Sequence, residues 1–99
     1  MVDEELSEAV IAYLGKGRSS FPRTDEDAVA TLAAAVGRPD LLATVKALVA
    51  ECLAVPVDWT TRSLSGGGRE AQAVMAERHP ELSAAALEAL YWMFTYNWR

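Results

Sequence analysis

The sequence predicts an all-α protein, a single compact four- or five-helix bundle, on three observations. Alanine supplies 18 of the 99 residues, and alanine has the highest helix propensity. β-Branched residues are scattered, and no run of four or more residues alternates apolar with polar in the manner of a half-buried strand. Apolar residues instead recur at three- and four-residue spacing between Gly and Pro breaks. The expected helices lie near 3–14, 24–36, 39–55, 69–78 and 80–97, with flexible loops near 15–23 and 56–68, in one domain over 1–99. Surface scaling gives about 5,500 Å² for a folded chain of this mass, enough burial for one core.

The first helix places Leu6, Val10, Tyr13 and Leu14 on one face, and Gly15 and Gly17 stop it. Phe21, the one large apolar residue of the following loop, is expected to fold back and seal the bottom of the core. In the second helix Thr24 is the expected N-cap, with Asp27 as its capping-box partner. Val29, Leu32, Ala33 and Val36 form its stripe, and Gly37 takes the C′ position. The third is expected to start at Pro39, an N1-type proline, and to reach about Val55. Leu41, Leu42, Val45, Leu48, Val49, Cys52 and Leu53 cover most of its circumference, which suits a central helix.

After Pro56 the chain is least regular, through Trp59 to the three glycines Gly66–Gly68. These glycines read as a hinge before a weak fourth helix with Ala71, Val74 and Met75 inward. His79-Pro80 breaks it, and Pro80 is expected to open the last helix with Glu81 in its first turn. Five of the eight aromatic residues fall between Tyr91 and Trp98. Leu87, Leu90, Tyr91, Phe94 and Trp98 form one stripe, and Trp92 with Tyr96 a second. A bundle this small hides one such stripe readily; the second calls for a central helix or an interface.

Charge and motifs exclude more than they assign. The formal net charge is −5, which repels a phosphate backbone unless one face is locally basic. The acids Asp3, Glu4, Glu5, Glu8 and Asp25, Glu26, Asp27 sit where helix starts favour them, which is the leading reading, and a basic partner is the alternative one. One cysteine and one histidine cannot build a Cys/His zinc cage or an internal disulfide. Gly15-Lys-Gly-Arg-Ser-Ser20 lacks P-loop spacing and reads as a helix C-cap with a polar loop. Gly66-Gly-Gly-Arg-Glu70 precedes a helix and reads as a hinge rather than an anion cradle. His79 lacks an orienting partner in sequence, and Cys52 lies on an apolar face. No cofactor, metal or catalytic set is expected, so an enzyme is the weakest reading.

Ala33-Ala-Ala-Val-Gly37 resembles the turn of a helix-turn-helix. That alternative is a DNA-binding regulator using residues 28–50, but its reading helix is mostly aliphatic with one cation, Lys46. The leading expectation is a small acidic, non-catalytic protein-interaction domain, in its sharpest form an immunity or antidote-type protein. The partner is another copy or a basic protein. The surface expected to carry it is Asp58, Trp59, Tyr91, Trp92, Tyr96 and Trp98, rimmed by the acids of the first two helices. The acidic start and the lack of a long apolar run give the expectation of a cytoplasmic protein with no membrane partner.

Overall fold

The computed structural model describes residues 1–98. Among them are five helices: α1 Glu4–Leu14, α2 Glu26–Val36, α3 Leu41–Leu53, α4 Leu64–Arg78 and α5 Ala84–Asn97. No strand occurs among these residues, and Lys16 and Ser19 form an isolated bridge. The principal extents are 44 × 29 × 19 Å. At about 10 Å per helix, the thin dimension holds two layers. The accessible surface is 5583 Å², in line with the scaling expected for the mass. No helix is long and apolar enough to cross a membrane.

Four helices start on a side-chain cap. Asp3 accepts from the Leu6 N–H, Asp25 from Ala28, Ser63 from Gly66 and Ser83 from Ala86. Asp25, not Thr24, therefore caps α2. The Asp25 N–H donates to the Tyr13 carbonyl at 2.8 Å, which fixes that residue at the end of α1. α3 begins after Pro39, because residues 38–41 close a turn in which the Leu41 N–H reaches the Arg38 carbonyl at 3.1 Å. It ends at Leu53 rather than Val55. Pro80 likewise stays outside α5. The Leu82 N–H closes on the His79 carbonyl at 3.1 Å, and the Glu81 carbonyl accepts from the Asp3 N–H at 2.7 Å.

The largest departure is α4, which starts five residues before the expected Arg69 and takes in Gly66–Gly68. These glycines are helical, with none of them at positive φ, so they are not a hinge. Phe21 also departs from expectation: it is 53% exposed. Tyr13 and Leu14 already close that end of the core. Backbone bonds from Arg23 to Leu14 and from Asp25 to Tyr13 return the loop to α1 without the Phe21 ring.

Backbone and side-chain bonds fix the helix directions. Ser83 N–H donates to the buried Ser7 hydroxyl at 2.9 Å, while Lys16 lies against Trp92, so α1 and α5 run parallel. α4 and α5 form an antiparallel pair through the 79–83 turn. α3 touches all four other helices. Its outer side still faces solvent, through Ala43, Lys46, Ala47 and Ala50. α5 packs on α1, α3 and α4, and buries Ala86, Ala89, Leu90, Met93 and Phe94.

Candidate protein interface

The aromatic residues are organised by two of the three glycines that the sequence offered as a hinge. A Cβ on Gly67 would lie 2.5 Å from Trp59 Cζ3, and one on Gly68 would lie 2.5 Å from Thr95 Cγ2 and 2.8 Å from Tyr91 Cε1. Bare backbone on α4 is therefore the bed for the Trp59 ring on one side and for α5 on the other. Close approach of this kind is the standard reason to accept glycine's helix penalty of about 1 kcal/mol.

Trp59, Phe94 and Trp98 form a three-ring cluster. Trp59 stacks on Phe94 with centroids 6.1 Å apart and planes 21° apart. Trp59 to Trp98 is 5.7 Å, and Phe94 to Trp98 is 6.2 Å. These separations fall in the range where ring pairs add attraction beyond burial. Phe94 is fully buried and forms the floor. Trp59 and Trp98 remain 36% and 48% exposed and form the outer face. Trp59 thus both pins its loop and stays partly open to solvent.

The other proposed residues divide. Tyr91 is half-buried under the Arg69 guanidinium, 3.7 Å from the ring centroid. Arg69 in turn binds Glu88 at 2.7 Å and Gln72 at 2.8 Å, and its hydrogen bond holds the Glu88 carboxyl below its ordinary range. Trp92 is packed partly against the core, with Lys16 Nζ 5.6 Å from its ring. Neither ring shares the Trp59–Trp98 cluster. Tyr96 is 43% exposed. Asp58 is exposed and organises its own turn, accepting from the Thr60 hydroxyl at 2.6 Å and the Thr60 N–H at 3.1 Å. Those bonds lower its carboxyl pKa.

Of the acids expected as a rim, Asp3 and Glu5 lie elsewhere. Asp3 binds Arg38 at 2.9 Å, and Glu5 binds the same guanidinium at 3.2 Å. This cluster adjoins the turn leading into α5, one helix length, about 20 Å, from the Trp98 end. On α2, Glu26 binds Lys46 at 3.3 Å.

His79 does have partners in space. Its Nε2 lies 2.9 Å from Glu51 and its Nδ1 3.3 Å from Glu81. Glu51 also takes Arg78 at 3.2 Å. The His79 bond, then burial acting against it, then Arg78, leave the Glu51 carboxyl below its usual value. Cys52 is buried, and burial pushes its thiol up to about 12, which removes the thiolate needed for nucleophilic work. No group of three or more His, Cys, Asp or Glu able to hold a metal occurs among the described residues.

Sequence reasoning missed Gly67, Gly68 and Phe94 as the parts that build the face. The available signal was a glycine run beside a tryptophan-bearing loop, with Phe94 and Trp98 four residues apart. No family model, curated protein or solved structure matches the chain.

Proposed function

We propose that this chain is a small acidic, non-catalytic protein-interaction domain that docks a basic protein at the Trp59–Trp98 face, in the manner of an immunity or antidote protein. One observation carries the reading: two tryptophans sit side by side, one about a third and the other about half exposed, on a floor of fully buried Phe94 and helix backbone. Tryptophan dominates interface hot spots, and a ring held by packing loses little freedom on binding. The net charge of −5 favours a basic partner through long-range steering. Tyr96 and Asp58 supply further contacts, while Tyr91 and Trp92 act mainly in packing.

The DNA-binding alternative receives less support. The outward face of α3 carries Ala43, Ala47 and Ala50, and its one cation, Lys46, is engaged by Glu26. A groove-reading helix needs free polar and basic side chains.

The test is affinity capture from the source cell with the wild-type chain and with Trp98→Ala and Trp98→Glu variants, followed by calorimetry on the purified binary complex. A basic protein retained by the wild type should bind at least tenfold more weakly to both variants, with circular dichroism unchanged. Equal retention by all three overturns the reading, as does sedimentation equilibrium showing that the face is occupied by a second copy.

A further inference from the structure

The basic side chains are unevenly used. Arg38, Lys46, Arg62, Arg69 and Arg78 each hold a carboxylate within 4.0 Å. Among the described residues the cations without one are Lys16, Arg18 and Arg23, all in the loop between α1 and α2. Lys16 and Arg18 stand at one end of a trough of about 540 Å³ that opens to solvent between α1 and α2. Its walls are apolar, chiefly Ile11, Ala12, Ala28 and Leu32. Thr31 also lines it, but its hydroxyl is turned to the Asp27 carbonyl at 2.9 Å. Arg18 Nη2 makes a long 3.4 Å bond to the Ala12 carbonyl, which holds the guanidinium over the trough wall. Lys16 Nζ rests 5.6 Å from the Trp92 ring, and its charge reaches Glu88 at longer range. Glu8 stands toward the opposite end, about 9 Å of helix axis before Leu14.

We infer that this trough binds a single-chain aliphatic monocarboxylate, its head group at the Arg18 guanidinium with the Lys16 chain turning from Trp92 to meet it, and its chain along Ile11, Ala12, Ala28 and Leu32. The volume is within the range of ligand sites, and such sites combine apolar walls with few polar groups. Two cations lacking a carboxylate in a molecule of net −5 complement one anionic head. Glu8 repels a second carboxylate at the far end, which sets the preference for one head group over two. The inference is independent of the tryptophan face, which is built from the loop before α4 and the end of α5.

The test is calorimetric titration of the full chain with decanoate, decanol and decanedioate. Decanoate should bind saturably at one site. Decanol and decanedioate should bind at least tenfold more weakly, and Glu8→Gln should narrow the gap between decanoate and the diacid. The double variant Lys16→Glu/Arg18→Glu alters exposed side chains only, and should lose at least tenfold in decanoate affinity while its circular dichroism is unchanged. Lack of saturation at millimolar decanoate overturns the inference. So does equal binding of decanol, or wild-type affinity in the double variant.

Discussion

Gly68 and Gly66 are two positions apart in the same helix, and they should respond to alanine in opposite ways. A methyl on Gly68 meets Thr95 at 2.5 Å and Tyr91 at 2.8 Å, both on the neighbouring helix. Forcing α4 from α5 by that amount costs about 1–3 kcal/mol, more than the propensity gain of about 1 kcal/mol. At Gly66 the nearest atom is the hydroxyl of Ser63, the exposed N-cap of α4, at 3.1 Å, a spacing that a shift of a few tenths of an ångström relieves with the cap bond kept. Urea denaturation should therefore show Gly68→Ala less stable than the wild type and Gly66→Ala equal or more stable. Equal midpoints for the two variants would contradict the close approach of α4 to α5. The sequence shows three identical letters here, and composition cannot distinguish a glycine that frees the chain from one that admits a ring. The same limit applies to the aromatic tail. Periodicity grouped Phe94 with Trp98, but burial separates them: Phe94 is fully buried and Trp98 lies over it, half exposed.

At the scale of the helices, existence and the start of α1 were legible, and the later starts were not. The number of helices, their order and the stops at Gly15 and Gly37 follow from spacing and left-handed glycine caps. The starts moved because tertiary bonds chose among several good capping residues. Thr24 and Asp25 are both competent caps, and the Tyr13 carbonyl selects Asp25. Ser7 is the clearest case of information absent from the local pattern. It is 2% exposed, and its hydroxyl accepts the Ser83 N–H at 2.9 Å across 76 residues. Ser83 is itself the cap of α5, so this bond ties the start of that helix to α1. Replacing Ser7 by alanine leaves the partly buried Ser83 N–H without its partner, at a cost of about 1 kcal/mol. Thermal melts should show the loss. Hydrogen exchange should show faster exchange at Ser83 and through the first turn of α5. A uniform change across all five helices would contradict a local tie.

For the whole molecule, two ion clusters close the two ends of α3. Arg38, just before it, binds Asp3 and Glu5 of the first segment. Glu51, near its other end, binds His79 and Arg78 at the end of α4. The sequence placed these acids as helix-start or solvent residues, because nothing local pairs Asp3 with a cation 35 positions away. The consequence is a pH dependence with a definite sign. The Arg38 hydrogen bond lowers the Asp3 carboxyl from 3.8, and the His79 bond lowers Glu51 from 4.5. A carboxylate whose folded pKa lies below its unfolded value stabilises the fold fully above the unfolded value. That contribution disappears as pH falls through the folded value. Stability should thus hold near neutrality and decline below about pH 5. The variant Asp3→Asn/Glu51→Gln removes both titrations, while asparagine keeps the N-cap on α1. It should be less stable than the wild type at pH 7, and the difference should shrink as acid protonates the wild-type groups. Urea midpoints at pH 7 and about pH 3 measure this directly. Each side chain is about one-third exposed, so water screens part of the interaction and the curves should converge gradually. Two curves that stay parallel over that range would mean that neither cluster holds an end of α3.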